Sequence, residues 1–521
     1  MTVARRTLGL LAFVFCLGVP ARAQLIQVKT LPIAQGNQFQ LFPSANVGMG
    51  SIAIALADST LDPFVNPATG ARIGGSRFFV TPTAYLVSQG TGGGRSLPLA
   101  LLARRAYWYG GLALAVQQVD PSTPPQFNGP IALAGTPPPP PGGGIVGPGG
   151  PFGPGQFPVQ SDNEAHGNQF AFGMLGRSWA SQHLSIGASA LWSRLHAVDG
   201  VDLLYANSRR LEQSGDAIDL RIGALKQWAR DSGTARSLEM VLLHNRFAAT
   251  HDVTYVDTFW DPVTQQFDQQ DRLEENHERT NTWGLQLNYQ IPLAAPGWRI
   301  GWLATANRAS HPTIPSYELT NVPAIPRDPG YTNAFNLGMG VSKVAGSGRF
   351  GIDVVYEPMS SYTWADAAEA TPTAAGDTIA PGGKTIENRF RFSNAWVRVG
   401  VEDAVAEGKP VKFQLGLILH PIQYRLEQRD HVQLSSRSVS ASWFEWTPTW
   451  GLSYRQPGFE LRYQGRATKG AGRPESKPQF VFGARAISTA GSTILAAPSG
   501  PLFMTDVSTV THQVSISLPL R

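Results

Sequence analysis

The densest set of chemistry-bearing side chains in this 521-residue chain is acidic. Asp252, Asp257, Asp261, Asp268, Asp271, Glu274, Glu275 and Glu278 fall within residues 251–280, an oxygen density that would suit Ca²⁺. The ordered spacing of a calcium loop is missing, so a solvated acidic loop is the favoured reading. His166, His183, His196, His244 and His251 show neither a helical His-Glu pair nor metal-site spacing. Gly382-Gly383-Lys384-Thr385 imitates the end of a phosphate loop, yet Thr378 stands where the opening glycine is required. Ser, His and Asp could still meet across strands, because a nucleophilic triad is recognised by geometry and not by order in the chain. No motif supports one. The expectation is a protein that is not an enzyme, with no cofactor and no metal.

The N-terminus reads as a signal peptide over residues 1–23. Arg5 and Arg6 form a positive start, Leu8 to Gly18 is apolar, and Ala21-Arg22-Ala23 fits a small-x-small cleavage site before Gln24. A twin-arginine leader and a lipoprotein leader are weaker readings, the second because bulky Phe15 precedes Cys16. Cys16 is the only cysteine, so the exported chain has no thiol for a disulfide, a zinc site or a nucleophile. Beyond the leader no run of about eighteen apolar residues appears, so no spanning helix is expected. Charged residues make up 15% and apolar residues 42%, a low-charge balance that suits strands with one apolar and one polar face but equally a large secreted soluble β-protein, so composition alone decides nothing. The formal charge of +5 is slight against 42 basic and 37 acidic residues, and no basic cluster is interleaved with aromatics. Nucleic acid is not an expected partner.

What must position any site is a set of strands with period-2 alternation. Trp283, Leu285, Leu287, Tyr289 and Ile291 alternate with Gly284, Gln286, Asn288 and Gln290. Val510, Val514, Ile516, Leu518 and Leu520 oppose Thr511, Gln513, Ser515 and Ser517. From Val411, the residues Phe413, Leu415, Leu417 and Leu419 alternate with Lys412, Gln414 and Gly416, and Pro421 then shifts the phase to Ile422, Tyr424 and Leu426. A bulge at Pro421 would absorb the extra residue. Asn336, Asp353, Glu357, Glu445, Glu460 and Arg462 fall on polar faces of similar segments. Several segments exceed the roughly 9–11 residues of a tilted membrane-crossing strand. Trp302, Trp396, Trp443, Trp446 and Trp450 lie in or at the ends of these strands, where interface anchoring is expected of most; a few inward-facing aromatics could instead line a hydrophobic path, and breaks in parity hide which.

Links alternate in length. Short ones fall at 178–182, 230–234, 294–297, 345–348, 404–410 and 456–458; long polar ones at 120–167, 197–215, 251–280, 310–331, 363–387 and 427–441. Short turns on one side and long loops on the other are the habit of an outer-membrane barrel, with the short side periplasmic. The first three strands are expected at 76–88, 96–104 and 107–119 and the last at 507–521, with the count least certain over 469–506. The run Pro137 to Pro141 with Gly142-Gly143-Gly144 is expected to be an extended loop.

Before the first strand lie Gly48-Met49-Gly50-Ser51, then Ala53, Ala55 and Ala57-Asp58-Ser59, then Asn66-Pro67-Ala68; Tyr107-Trp108-Tyr109-Gly110-Gly111-Leu112-Ala113-Leu114 follows. Over residues 46–119 this resembles the FadL-like family of outer-membrane transporters of long-chain fatty acids and other hydrophobic compounds. The resemblance implies an N-terminal hatch folded into the barrel, with Asp58, Asn66, Pro67 and Ala68 as its candidate residues. Read alone, Asn66-Pro67 is a chain reversal, since proline fixes φ and holds its predecessor out of the helical region. Related barrels that act as secretion accessories share such a segment. The terminal Leu520-Arg521 departs from the aromatic end common in assembly signals.

The resulting expectation is all-β: a transmembrane antiparallel β-barrel of about 14 strands, 16 being possible, with the hatch inside the lumen. Its domains are the signal peptide 1–23, the hatch or plug 24–75 and the barrel 76–521. The expected location is the bacterial outer membrane, and the expected function is passive uptake of hydrophobic small molecules, fatty acids or hydrocarbons. The alternative is a non-transporting barrel for docking or secretion, and a general porin is disfavoured if a hatch exists. Expected partners are a hydrophobic small-molecule substrate, membrane lipid, lipopolysaccharide and the barrel-assembly machinery, with the chain a monomer. The residues that contact a ligand are not legible.

Overall fold

The structure is a computed structural model that describes residues 38–89, 92–121, 164–199, 201, 205, 208–228, 236–261, 263–314, 317–319, 322–326, 328–406, 408–474 and 504–520. The leader, the Pro/Gly-rich run and the 230–234 turn lie outside the described residues.

The strands are β1 (Arg77–Val80), β2 (Thr83–Val87), β3 (Gly93–Arg105), β4 (Trp108–Asp120), β5 (His166–Trp179), β6 (Leu184–Leu195) and β7 (Ser208–Trp228). Then come β8 (Arg236–Asp261), β9 (Gln266–Pro292), β10 (Trp298–His311), β11 (Tyr317–Leu319), β12 (Val322–Pro326), β13 (Gly330–Ala345) and β14 (Gly348–Asp366). The last are β15 (Thr371–Pro372), β16 (Thr378–Ile379), β17 (Lys384–Ala404), β18 (Val411–Asp430), β19 (Ser435–Gln456), β20 (Phe459–Pro474) and β21 (Met504–Pro519). All but β15 and β16 join one sheet, which closes where β1 and β2 pair with β21. Since β1 and β2 are halves of one crossing, and β11 and β12 form a hairpin within a loop, the barrel has 16 strands. That is the larger of the two counts expected. Both β1 and the end of β21 stand on the side of the short turns, since Arg77 pairs with Pro519.

Why the wall forms is visible in its two faces. Leu112 and Leu114 are each 63% exposed on the outside, whereas Thr511, Gln513, Asn288 and Gln290 are buried within. A belt of exposed Leu, Val, Ile and aromatic side chains around a polar interior is the reverse of a soluble barrel. It is what a strand wall in hydrocarbon requires, because closure leaves no unpaired edge. The chain is an outer-membrane-type barrel.

On the outer side the strands run further than expected. The link expected at 251–280 is instead a two-stranded arm of β8 and β9, paired without shift from Ser237↔Gln290 to Asp261↔Gln266. Its acidic residues therefore lie along a hairpin and not in a loop. Likewise the 427–441 link contracts to a turn between Asp430 and Ser435. Among the described residues no helix is long and apolar enough to cross a membrane, and crossing falls to the strands.

The phase shift at Pro421 has another cause than a bulge. The β18–β19 register passes unshifted through Leu419↔Trp446, Pro421↔Phe444 and Gln423↔Ser442. Below Pro421 the outward residues are Phe413, Leu415, Leu417 and Leu419; above it they are Gln423 and Arg425, and the apolar Ile422, Tyr424 and Leu426 are buried inside. β14 and β17 change in the same way, from outward Val354, Tyr356, Val397 and Val399 to outward Ser360, Arg389 and Arg391. The strands leave the membrane at this level, and the apolar face passes from the lipid side to the lumen side.

Candidate functional site

Residues 38–75 lie inside the barrel and bond to its wall on nearly every side. The Gln38 amide donates to Gln117 Oε1 at 3.1 Å and to the Ala197 carbonyl at 2.8 Å. Gly50 N donates to Thr449 Oγ1 at 2.9 Å, and Ala53 N to Asp353 Oδ2 at 2.8 Å. Gln290, Ser342 and Gln414 donate to the carbonyls of Ile54, Ala55 and Ala45. Phe42 and Phe64 stack at 4.4 Å and meet Phe172 of β5, each at 5.3 Å. So close an approach needs a wall without side chains. A Cβ on Gly187, Gly223, Gly400 or Gly416 would stand closer than 3.0 Å to the inner segment, at Pro67, Asn66, Met49 and Gly50 respectively.

Asp58 is the knot of this segment. Its Oδ2 accepts from Ser44 Oγ at 2.6 Å, Ala45 N at 2.7 Å and Asn46 N at 3.2 Å. Its Oδ1 accepts from Thr60 Oγ1 at 2.6 Å, Thr60 N at 3.1 Å and Leu61 N at 3.2 Å. Asn66, Pro67 and Ala68 sit together at the wall of β6 and β7, apart from Asp58. The Asn66 Oδ1 accepts from Ala68 N at 3.1 Å and so caps the turn Pro67–Arg72. Arg72 leaves that turn to meet Glu239 of β8 at 2.6 Å, and Arg221 of β7 donates to the Val65 carbonyl at 3.1 Å. Asp62 links knot and turn: its carboxylate accepts from Asp58 N at 2.9 Å, and its carbonyl accepts from Asn66 N at 2.8 Å. Enclosure in the lumen, with Asp58 and Glu239 nearby, pushes the Asp62 carboxyl well above its ordinary value against the pull of Arg72. Asp62, Arg72, Arg221 and Glu239 are not legible as site residues in the sequence, though Arg221 and Glu239 leave a trace as charges at inward strand positions.

Outward of this segment, β13, β14, β17, β18 and β19 stack inward side chains in cross-strand rows. At the membrane rim stand Trp396, His420 and Glu445, with Glu357 and Asn394 in the next row. The Trp396 and His420 rings stack at 3.6 Å and 12°. His420 Nδ1 is 3.6 Å from Glu445 Oε2, and its Nε2 is 3.9 Å from Glu357 Oε2. His420, Glu445 and Glu357 are each no more than 4% exposed. Above them Phe390, Phe392, Tyr424 and Trp443 form a ladder, stacked at 6.2, 5.9 and 5.3 Å with interplanar angles of 16°, 27° and 5°. Met359, Leu426, Val439 and Ala441 complete this apolar lining. Trp396 and Trp443 therefore face the lumen and are not interface anchors; Trp302 and Trp446 are exposed outside as expected. At the rim the β17–β18 ladder skips from Phe392↔Tyr424 to Val397↔Leu419. Pro421, which has no N–H to give, lies in the gap.

Among the described residues no three metal-binding side chains come together. Gly382-Gly383-Lys384-Thr385 is the turn into β17, and Lys384 Nζ pairs with Glu387 at 2.9 Å.

No family model and no curated protein matches the chain. Solved structures do. A FadL homologue of Pseudomonas aeruginosa is 10% identical with a TM-score of 0.41, over 94% of this chain and 99% of that one. The toluene transporter TodX of Pseudomonas putida is 11% identical with a TM-score of 0.38, over 91% and 97%. The chain is similar to FadL-type barrels. It is also similar to a ferric enterobactin receptor of Pseudomonas aeruginosa, at 9% identity and a TM-score of 0.32, over 87% and 84%.

Proposed function

We propose that the protein is an outer-membrane channel for passive uptake of hydrophobic small molecules, with residues 24–75 as a hatch. One observation carries this: an apolar, aromatic lining faces the lumen, and below it residues 38–75 are hydrogen-bonded to the inner wall. A water-filled porin has no use for an inward apolar lining, and a soluble ligand would gain little from it. An apolar solute gains by burial at each step from the outer face to the ladder. Passage then requires residues 38–75 to leave part of their seat. Asp58 keeps the segment folded, and Asn66-Pro67-Ala68 anchors it to β6 and β7. In this reading the chain works as a monomer and carries out no catalysis.

The outer wall also suits the lipid it would stand in. A groove of about 580 Å³ above the end of β6 is lined by Trp192, Arg194, His196, Asp216, His277 and Arg279. Two arginines and two histidines stand there beside Asp216 and Glu278, which supports reading it as a place for the phosphorylated sugars of lipopolysaccharide.

Lipid mass spectrometry of protein purified from outer membranes tests the function. Bound lipid or hydrocarbon is expected. A stoichiometric protein partner with no bound apolar molecule would favour the docking barrel instead.

A further inference from the structure

The outer wall changes character within one row of residues. On β6 and β7 the lipid-facing Trp192, Ile218, Leu220 and Ile222 are exposed and apolar. One row further out, Arg194 of β6, Asp216 of β7, Ala248 of β8 and Arg279 of β9 stand side by side in register. The groove opens along that row. Its floor is made of small residues, Ser214, Gly215 and Ala248, and its sides of long ones, Trp192 and Arg194 at one end and Arg279 at the other. Arg246 of β8 stands one row lower, beside Ile218. Arg194, Arg246 and Arg279 are all exposed, and among the described residues none of the three has an ion pair or a side-chain hydrogen bond.

Neighbouring carboxylates do not cancel that charge. Even with Asp216 and Glu278 both ionised, three guanidiniums leave the rim positive. His277 is already engaged with Glu275 at 2.7 Å. The acidic row Glu212, Asp252 and Glu275 lies four residues farther along the strands, about 13 Å away. That exceeds the screening length of about 8 Å at physiological salt. Spacing then decides how the groove is filled. Three strand intervals of about 4.8 Å put the Arg194 and Arg279 backbones about 14 Å apart. A single phosphate drawn midway would stand beside the Asp216 carboxylate, whereas two phosphates, one at each end, would each meet a guanidinium.

Resting on the reading of this groove given above, we propose that its occupant is one acylated disaccharide with two separated phosphates, held by Arg194 and Arg279 respectively. Arginine suits the task, because its planar guanidinium gives paired hydrogen bonds to phosphate oxygens. The acyl chains continue down the wall over Trp192, Ile218 and Leu220. Such a lipid is a fixed part of the rim, one to a barrel, and not a passing member of the leaflet.

The test uses the full-length protein in detergent micelles, titrated with bisphosphorylated lipid A, monophosphoryl lipid A and phosphatidylglycerol and read by native mass spectrometry. Bisphosphorylated lipid A is expected to bind one to one, and about tenfold more tightly than the monophosphoryl form, the scale of one charge-assisted contact. Arg194→Gln and, separately, Arg279→Gln should remove most of that preference, while Arg425→Gln, outside the groove on β18, should leave it unchanged. If both forms of lipid A bind the unaltered protein equally but more tightly than phosphatidylglycerol, the two-phosphate inference is wrong and the reading of the groove stands. The inference is equally wrong if the preference survives in both groove variants. If phosphatidylglycerol binds as tightly as either form of lipid A, the reading of the groove fails and takes this inference with it.

Discussion

Replacing Asp58 by alanine should release the inner segment while leaving the wall intact. Six hydrogen bonds end on that carboxylate, from Ser44, Ala45, Asn46, Leu61 and both the amide and the hydroxyl of Thr60. Some donors have second partners: Asn46 N also reaches Ser44 Oγ, and Leu61 N reaches the Asp58 carbonyl. Ala45 N has no second acceptor among the described residues and sits in a buried part of the segment, so it bears the full cost of a lost acceptor. Hydrogen bonds to a charged group contribute about 1.5–3 kcal/mol each, but they are not additive here; a total of about 3–5 kcal/mol is a reasonable sum. At about 1.4 kcal/mol per tenfold, amides over residues 45–61 should exchange with solvent roughly 10²- to 10⁴-fold faster. Hydrogen-exchange mass spectrometry in nanodiscs reads this directly, with the β17 and β18 amides as the internal control. Asp58→Asn, which keeps one acceptor oxygen, should fall between. Unchanged protection over 45–61 in Asp58→Ala would show that the wall contacts, and not the carboxylate knot, hold the segment, and the reasoning would be refuted.

Gly400→Ala places a methyl group against the Met49 backbone, so the segment should be displaced and single-channel conductance should rise; an unaltered closed level would count against the seat. Asn66→Ala removes the acceptor that caps Pro67–Arg72 and should cost about 1 kcal/mol, seen as roughly fivefold faster exchange over residues 66–73. Asp62 makes seating depend on pH. Its folded pKa is raised above the unfolded one, so the released segment binds fewer protons and the seat weakens as pH climbs from the ordinary value of 3.8 through the raised one. Exchange over 58–66, corrected for intrinsic rates, should therefore be slower at low pH in the native chain, and Asp62→Asn should flatten the dependence. Leu415→Arg, on the lipid face of β18, should lower folding stability in vesicles by about 2–4 kcal/mol, whereas Gln423→Arg on the same face should cost little. Equal losses would place the membrane boundary elsewhere.

Period-2 alternation makes the barrel legible because in a lipid-facing wall it is both strict and long. For Trp283 to Ile291 and Val510 to Leu520, residue types alone assign the two faces, and the burial along both strands agrees. Alternation fails as a guide where the environment changes along one strand. At Pro421 the pattern resembles an inserted residue, though the register is unbroken and only the medium outside differs. For the same reason the alternation does not single out Trp396 and Trp443 as the aromatics that face inward. The 251–280 stretch reads as loop because its charges suit water, and an arm of strand standing above a membrane meets water on both sides. Asp58 and Asn66 emerge through resemblance and not through chemistry. Glu239 and Arg72 are far apart in the chain, and only closure of the barrel brings them to 2.6 Å. Glu357, His420 and Glu445 come from three strands, so no spacing could announce them.

The exchange of faces at one level on β14, β17 and β18 also fixes how deeply the protein rides. A barrel that is apolar outside along its whole height can bob or tilt to suit its surroundings. This one cannot rise without wetting Leu419 and Val397, nor sink without drowning Gln423, Arg425 and Arg391 in acyl chains. In a host layer of a different thickness the lipids must do the adjusting, thinning or swelling around a waterline drawn into the strands themselves.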